Sequence, residues 1–228
     1  MIKIAIFVEG QTELIFIARL VEETLSRQSR PAIRNQLFGG RNTTILENDT
    51  HYVLINDCGG DNSVKGRIRD NYPALVRESY VCVIGLRDLY PLTDAQRLRD
   101  SLQEGLPKSG CVFAQIFLAI KEIESWMIAE DRHYLKISSA LGKELVNSIA
   151  GMDVFSESTE ILPHPAQTLH KIYLAAGTSY KKSAWQVQRT VDAIDYEYLR
   201  GPVRERIESL DSFLECLDGF LCASEARA

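Results

Sequence analysis

Two apolar runs constrain the fold of this chain most strongly. Residues 2–8 read Ile-Lys-Ile-Ala-Ile-Phe-Val, and residues 79–88 read Ser-Tyr-Val-Cys-Val-Ile-Gly-Leu-Arg-Asp. Nearly continuous apolar runs of this length are typical of strands that are covered on both faces. Such strands belong to parallel sheets with helices packed on each side, so the sequence predicts an α/β fold.

Strand and helix patterns alternate over residues 1–120, and the pattern is helical after that point. Further strands are predicted at 32–38, 51–57 and 111–120, with helices that begin near Thr12 and that cover 62–77 and 93–106. Later helices are predicted at 121–131, 137–150, 166–176, 183–194 and 203–221. We therefore expect a mostly parallel, Rossmann-like α/β core at 1–131 and a helical C-terminal portion at 132–228 that packs on it.

Net charge, cysteine content and the length of the apolar runs limit the kinds of protein that this chain can be. The 228 residues carry a formal net charge of -5, which argues against nucleic-acid binding through bulk positive charge but leaves room for a local basic face. The five cysteines show no zinc-ligand spacing, and an odd count without a signal peptide predicts a reducing, cytoplasmic location. No apolar run approaches the ~20 residues of a membrane-spanning helix.

Acidic residues stand where predicted strands end. Glu9 follows the first strand, Asp88 ends the strand from 79, and Glu122 and Glu124 follow the strand from 111. Ligands of open parallel sheets bind at the carboxyl ends of the strands, so we expect these side chains to converge. Clustered carboxylates repel each other unless a cation neutralises them, and oxygen-only ligation suits Mg²⁺ or Mn²⁺.

The segment after the first strand suggests how the site is built. Gly10 is expected to let the backbone turn sharply and to leave space near a phosphate, while Glu9 projects as a metal ligand or a proton carrier. Glu13, in the first turn of the helix, is expected to face the same site. The alternative is that Glu9 only interacts with the positive end of the helix.

Four stretches resemble known bacterial families. The stretch Phe-Val-Glu-Gly-Gln-Thr-Glu at 7–13 resembles the first motif of TOPRIM domains, and Gly-Leu-Arg-Asp-Leu-Tyr-Pro at 85–91 resembles the second. The stretch at 119–131, with Glu-Ile-Glu-Ser-Trp, is similar to the signature of the TOPRIM-like domain of unknown function 4276. The stretch from Tyr180 to Arg200 is similar to that family's C-terminal part, where Tyr-x-Lys precedes a helix.

The resemblance implies a TOPRIM-like sheet related to that of the overcoming-lysogenization-defect (OLD) nucleases. It implies a divalent-metal phosphodiester-cleaving site with Glu9, Asp88 and Glu124 as metal ligands and Glu13 nearby. It also implies a nucleic-acid substrate, a partner ATPase of the ABC or SMC type, and a role in defence against phage.

One position departs from the TOPRIM pattern. Tyr90 stands where the second motif has its second aspartate, and a phenol is a poor Mg²⁺ ligand at neutral pH. Glu122, Glu124, Asp131 or the more distant Asp94 are candidates to replace it, and the sequence is equally compatible with a single metal ion or with none. If the helix has already begun at Glu122, then Glu122 and Glu124 point to different helix faces and are unable to bind one ion together. Glu124 is preferred because it carries the match to the family signature.

Basic residues provide candidate phosphate contacts. Lys181 and Lys182 precede a predicted helix, and the family pattern favours Lys181 for stabilising developing charge. Lys65 and Arg67 follow the turn-forming Cys-Gly-Gly-Asp-Asn stretch at 58–62 and are candidates for a local basic edge. The alternative for both sets is an ordinary solvated surface.

The leading hypothesis is a Mg²⁺- or Mn²⁺-dependent nuclease subunit in which Glu9, Asp88 and Lys181 act in catalysis. The alternative is a catalytically degenerate binding or regulatory subunit of an ATPase complex, and a third hypothesis is a nucleotide-binding enzyme that hydrolyses a small phosphate ester. The sequence leaves open whether the substrate is DNA or RNA, and whether the chain forms a homo-oligomer.

Overall fold

The computed structural model describes residues 1–38, 40–60, 63–92, 94–108 and 110–222, without the side chains of Gln103 and Lys108. The predicted helix starts at 62 and 93 lie outside the described residues. The strands are β1 (Ile2–Val8), β2 (Ala32–Phe38), β3 (Arg41–Glu47), β4 (His51–Asp57), β5 (Cys82–Asp88) and β6 (Ala114–Ala119). The helices are α1 (Gln11–Ser26), α2 (Ser63–Arg77), α3 (Ala95–Lys108), α4 (Glu124–Ala129), α5 (His133–Ile137), α6 (Lys143–Ala150), α7 (Pro165–Ala175), α8 (Ala184–Ala193), α9 (Tyr196–Tyr198) and α10 (Glu208–Leu221).

The six strands form one sheet in the order β2-β3-β4-β1-β5-β6. β1 lies between β4 and β5 and pairs with both in parallel, which explains why residues 4–8 are completely buried. The predicted α/β class with a mostly parallel sheet is confirmed. None of the helices in the described ranges has both the length and the apolar character needed to cross a membrane.

The β2 end of the sheet differs from the predicted strand-helix alternation. β3 is absent from the predicted strands, and it pairs antiparallel with β2 on one side and with β4 on the other. Two residues separate β2 from β3, whereas a parallel crossover needs a dozen or more, so only an antiparallel hairpin fits. Gly40, with φ +74°, supplies the left-handed conformation in this turn.

The chain divides into two compact units. The first contains Met1–Asp88, Thr93–Leu118 and Phe213–Ala228, and the second contains Leu89–Leu92 and Ala119–Ser212. This division differs from the predicted boundary at 131, because residues 119–131 belong to the second unit and the last turns of α10 belong to the first. There Phe213 packs edge-on against Phe117, and His51 Nε2 lies 3.1 Å from the Phe220 carbonyl oxygen.

A fully buried tryptophan anchors the helices of the second unit. Trp126 in α4 is completely buried, and its indole Nε1 donates a hydrogen bond of 2.8 Å to Ser209 Oγ in α10. Thr159 Oγ1 donates to the Ser125 carbonyl oxygen at 2.6 Å. The polar groups buried with the tryptophan are thus paired, and α4 is held in a fixed position.

The packing of β5 predicts the outcome of a glycine substitution. A Cβ atom at Gly85 would lie 2.8 Å from Ile116, 2.9 Å from Ile68 and 3.0 Å from Val64. We expect Gly85→Ala to lower the free energy of unfolding by about 1–3 kcal/mol, because the core is already filled.

The matched control is Gly66→Ala in α2, where a Cβ meets no atom within 4 Å. This change should stabilise the protein by up to about 1 kcal/mol through helix propensity. Urea denaturation measures both variants, and equal effects of the two substitutions would contradict this description of the core.

Candidate metal centre

The first acidic pair lies at the carboxyl ends of β1 and β5. Val8 pairs with Leu86 in the parallel register, so Glu9 and Asp88 follow at the same edge of the sheet. The Asp88 backbone N–H donates a hydrogen bond of 3.0 Å to Glu9 Oε2. The structure therefore brings together these two predicted site residues, although they are far apart in sequence.

A second pair of acids belongs to the segment that leads into α4. Beyond β5, the Leu89 N–H donates to the Ala119 carbonyl and the Tyr90 N–H to the Lys121 carbonyl, both at 2.9 Å. Glu122 precedes α4, which begins at Glu124. Because the helix begins only after Glu122, the condition under which Glu122 and Glu124 would point to different helix faces is not met.

Three carboxylates form what we call the acidic cluster: Asp88, Glu122 and Glu124. Each offers an oxygen atom, and these atoms all lie within 4.8 Å of one another. Asp88 is 7% exposed, Glu124 is completely buried, and Glu122 is half-buried. Three oxygen donors at this spacing are able to hold a divalent cation, and hard oxygen donors suit Mg²⁺ or Mn²⁺.

The two carboxylate oxygen atoms of Glu124 have different kinds of partner. Oε1 accepts a hydrogen bond of 2.8 Å from the Tyr180 hydroxyl. Oε2 is buried and accepts no hydrogen bond from the described residues; it forms an ion pair with Lys182 Nζ at 3.1 Å. A buried polar atom without an aligned hydrogen bond is uncommon in proteins, and a bound ion or water molecule is one way to satisfy it.

Glu122 is held in place by two partners. Its Oε2 accepts a hydrogen bond of 2.9 Å from the backbone N–H of Ala166 in α7. Its Oε1 lies 3.3 Å from Lys182 Nζ. The ammonium group of Lys182 therefore contacts both glutamates of the cluster.

The protonation of Glu124 reflects its burial. Loss of hydration raises the pKa of the Glu124 carboxyl above its ordinary value of 4.5, and the negative charge of Glu122 raises it further. The Lys182 ammonium and the hydrogen bond from Tyr180 oppose this rise. The net direction is upward, which means that the folded protein stabilises the charged form of Glu124 less well than water does.

Lys182, rather than the predicted Lys181, contacts the acidic cluster. The side chain of Lys181 is exposed, and its backbone N–H donates to Gln186 Oε1 at 2.8 Å. The sequence does contain a signal for Lys182, because Lys182 is the residue at the Tyr-x-Lys spacing from Tyr180.

Glu13 and Gly10 occupy the start of α1 and are not members of the acidic cluster. Glu13 is buried in the first turn of the helix, and a Cβ at Gly10 would lie 3.5 Å from its Oε2 atom, an ordinary contact. The backbone of Gly10 is extended, with φ -160°, so the turn does not require glycine. The predicted need for Gly10 as a sharp turn is therefore wrong.

The stretch around Gly59 and Lys65 uses its polar groups internally. The Gly59 N–H donates to Asp57 Oδ1 and the Gly60 N–H to the Glu9 carbonyl, both at 2.8 Å. Lys65 Nζ donates to the Ser101 carbonyl in α3 at 3.2 Å, and Arg67 is half-buried. Because these groups have partners within the protein, the structure adds no support for a phosphate site there.

The candidates to replace the second TOPRIM aspartate differ in whether they lie near Asp88. Tyr90 is 46% exposed and packs edge-on against His164. Asp131 pairs with Arg206 at 3.2 Å, and Asp94 accepts a hydrogen bond from the Arg97 N–H at the start of α3. Glu122 and Glu124 are the candidates that join Asp88 in the cluster.

Comparisons with known proteins yield only remote likenesses. No family model matches the chain, and no curated protein matches it. Among solved structures, a hypothetical protein from Pyrococcus horikoshii OT3 is 16% identical over 99% of both chains, with a TM-score of 0.48.

Two further solved structures resemble smaller parts of the chain. The Campylobacter jejuni 5'-methylthioadenosine/S-adenosyl homocysteine nucleosidase is 14% identical over 38% of this chain and 33% of that one, with a TM-score of 0.27. The chain therefore spans a third of the length of that enzyme. A Helicobacter pylori futalosine hydrolase mutant is 9% identical over 52% of this chain and 65% of that one, with a TM-score of 0.28. Likenesses this remote carry no argument about activity.

Burial of Glu124 predicts how stability depends on pH. Because the pKa of Glu124 is higher in the folded than in the unfolded chain, this group favours folding fully below about pH 4.5. That contribution is lost as the pH rises through the folded pKa. We expect Glu124→Gln, which cannot ionise, to gain stability relative to the natural chain as the pH rises.

Urea denaturation of both proteins in the presence of a chelator, from pH 4 upward, measures this difference. Glu144→Gln, at an exposed position in α6, is the control and should show no such trend. A stability difference for Glu124→Gln that is flat or falls with pH would contradict the raised pKa.

Proposed function

We propose that this chain is the catalytic subunit of a divalent-metal-dependent nuclease that cleaves phosphodiester bonds. The observation that carries the proposal is the acidic cluster with its buried Glu124 oxygen that accepts no hydrogen bond from the described residues. Three carboxylates close together repel each other, and Lys182 supplies only one positive charge against them. A divalent cation carries twice that charge and would neutralise more of the cluster, and the all-oxygen donor set fits Mg²⁺ or Mn²⁺.

The residues of the site have separable roles in this proposal. Asp88, Glu122 and Glu124 would hold the cation, which when bound supplies positive charge that polarises a phosphate and lowers the pKa of a water molecule. Glu9, whose Oε2 atom accepts a hydrogen bond from the Asp88 backbone N–H, would take the proton of the attacking water. Lys182 would neutralise charge that develops on the phosphate oxygens.

The nature of the substrate and partner follows from the resemblance and the net charge. With a net charge of -5, the chain does not attract nucleic acid by bulk electrostatics. A partner that binds DNA or RNA would therefore deliver the substrate, and an ABC- or SMC-type ATPase is the partner that the resemblance implies. A role in defence against phage is part of the same proposal.

One observation favours a second candidate function. Lys182 Nζ lies within 3.3 Å of oxygens of both Glu122 and Glu124, which partly neutralises the cluster from within the chain. Together with Tyr90 at the second TOPRIM position, this contact supports a degenerate binding or regulatory subunit of an ATPase complex. Such a subunit would keep the fold without a working metal site.

Metal binding and cleavage together test the proposed function. We expect Mn²⁺ or Mg²⁺ to raise the thermal unfolding temperature of the natural chain, and Asp88→Asn and Glu124→Gln to abolish the rise because each removes a ligand charge. Glu144→Gln is the exposed control. Glu9→Gln should retain the rise but lose cleavage of single- and double-stranded DNA and RNA, since Glu9 is assigned to proton transfer.

The cleavage assay is run with the chain alone and with the product of the neighbouring gene. Cleavage that needs the metal and is lost in Asp88→Asn and Glu9→Gln supports the nuclease. No metal effect and no cleavage under either condition would overturn it in favour of the binding subunit. Hydrolysis of a small phosphate ester without nucleic-acid cleavage would instead indicate a small-molecule phosphoesterase.

A further inference from the structure

We infer that Lys182 is a built-in counter-cation that competes with the divalent metal for Glu122 and Glu124. In the metal-free protein its ammonium group neutralises part of the acidic cluster, and metal binding displaces it. The inference rests on the proposed metal site. It states that either the Lys182 ammonium group or the metal ion lies between these two glutamates, but never both.

The distances place the ammonium group in contact with the metal-ligand atoms. Lys182 Nζ lies 3.3 Å from Glu122 Oε1 and 3.1 Å from Glu124 Oε2. A bound Mg²⁺ would approach such oxygens to roughly 2.0–2.1 Å. Two cations that share the same two carboxylates repel each other strongly in a buried site, where the effective dielectric constant is low.

The imperfect fit of the ammonium group to Glu124 supports displacement. Glu124 is completely buried, and its Oε2 atom has an ion-pair partner but no aligned hydrogen bond from the described residues. Charge-assisted pairs that are built for stability normally combine both. Lys182 therefore compensates the charge of Glu124 through an ion pair that is not aligned as a hydrogen bond, and a cation bound directly to Oε2 would compensate it more fully.

Hydrogen bonds to Gln186 hold the loop that places the Lys182 side chain at the acidic cluster. Gln186 Oε1 accepts hydrogen bonds from the Lys181 backbone N–H at 2.8 Å and from Ser183 Oγ at 2.9 Å, on either side of Lys182. Between these anchors Lys182 has φ +56°, a left-handed conformation that is uncommon for lysine. Strained backbone that is held by neighbouring bonds is a feature of functional sites.

Because the Lys182 side chain is partly exposed, its ammonium group is able to move from the acidic cluster into water. The Lys182 side chain is 39% exposed, so its stem reaches the carboxylates from the solvent side. On metal binding the ammonium group returns to water, at low cost for a flexible four-carbon stem. It then lies close enough to meet the phosphate of a substrate, which connects metal binding to the role of Lys182 in charge neutralisation.

The test compares two neighbouring lysines. Lys182→Met keeps most of the side-chain volume and removes the charge, and Lys181→Met makes the same change where the side chain is exposed and its backbone alone is held. Isothermal titration with Mn²⁺ should show that Lys182→Met binds at least about tenfold more tightly than the natural chain. Lys181→Met should stay within about twofold of the natural chain.

Stability in a chelator gives a second readout that does not depend on activity. Lys182→Met should unfold at a lower temperature than the natural chain without metal, because Glu122 and Glu124 lose their counter-cation, and Mn²⁺ should restore the unfolding temperature. Lys182→Gln is the second neutral variant. If both neutral variants stay destabilised even in Mn²⁺, the metal does not replace the ammonium group and the inference is overturned.

The outcomes separate this inference from the proposed function. If the natural chain binds Mn²⁺ and Lys182→Met binds equally or more weakly, the inference is overturned while the nuclease proposal stands. If only Lys182→Met binds Mn²⁺, the inference is supported and the natural chain is the degenerate subunit. If neither protein binds Mn²⁺, both the inference and the nuclease proposal are overturned.

Discussion

The charge of Glu124, buried completely inside the protein, is the constraint on which the rest of the site depends. Removing a carboxylate from water costs on the order of several kcal/mol unless partners compensate. One oxygen has the Tyr180 hydroxyl, and the other has the ion pair with Lys182. A fold that buries such a group must keep it protonated, pair it with a fixed cation, or use it to bind a metal ion. The raised pKa of Glu124, its ion pair with Lys182 and the acidic cluster correspond to these three possibilities.

Strand pairing and backbone hydrogen bonds position the residues of the site. Parallel pairing of β1 with β5 sets the strand ends side by side, so that Glu9 and Asp88 are linked by a hydrogen bond. The segment before α4 carries Glu122, whose Oε2 atom is held by the Ala166 N–H. Left-handed backbone occurs at Lys121, next to Glu122, and at Lys182 itself. Ser79, in the turn before β5, shares this conformation away from the proposed site.

Much of this arrangement is predictable from the sequence, for physical reasons that differ between residues. Apolar runs identify the buried strands, and strand-end acids such as Asp88 follow from the geometry of parallel sheets. β3 escapes prediction because its first half, Arg-Asn-Thr-Thr, is polar and lacks strand alternation. The place of Glu122 is not predictable, because periodicity does not locate the first residue of a helix to within one position. The left-handed turn that positions Lys182 leaves no trace in the hydrophobic pattern, and only the Tyr-x-Lys spacing from Tyr180 marks this lysine in the sequence.

A crystal of the protein soaked in Mn²⁺, with anomalous scattering recorded, would show whether the acidic cluster holds a cation. We expect one strong anomalous peak bonded to carboxylate oxygens of Asp88, Glu122 and Glu124, with the Lys182 ammonium group moved away from both glutamates. A map without a peak at these three side chains, with Lys182 still in contact with Glu122 and Glu124, would contradict the proposed metal site.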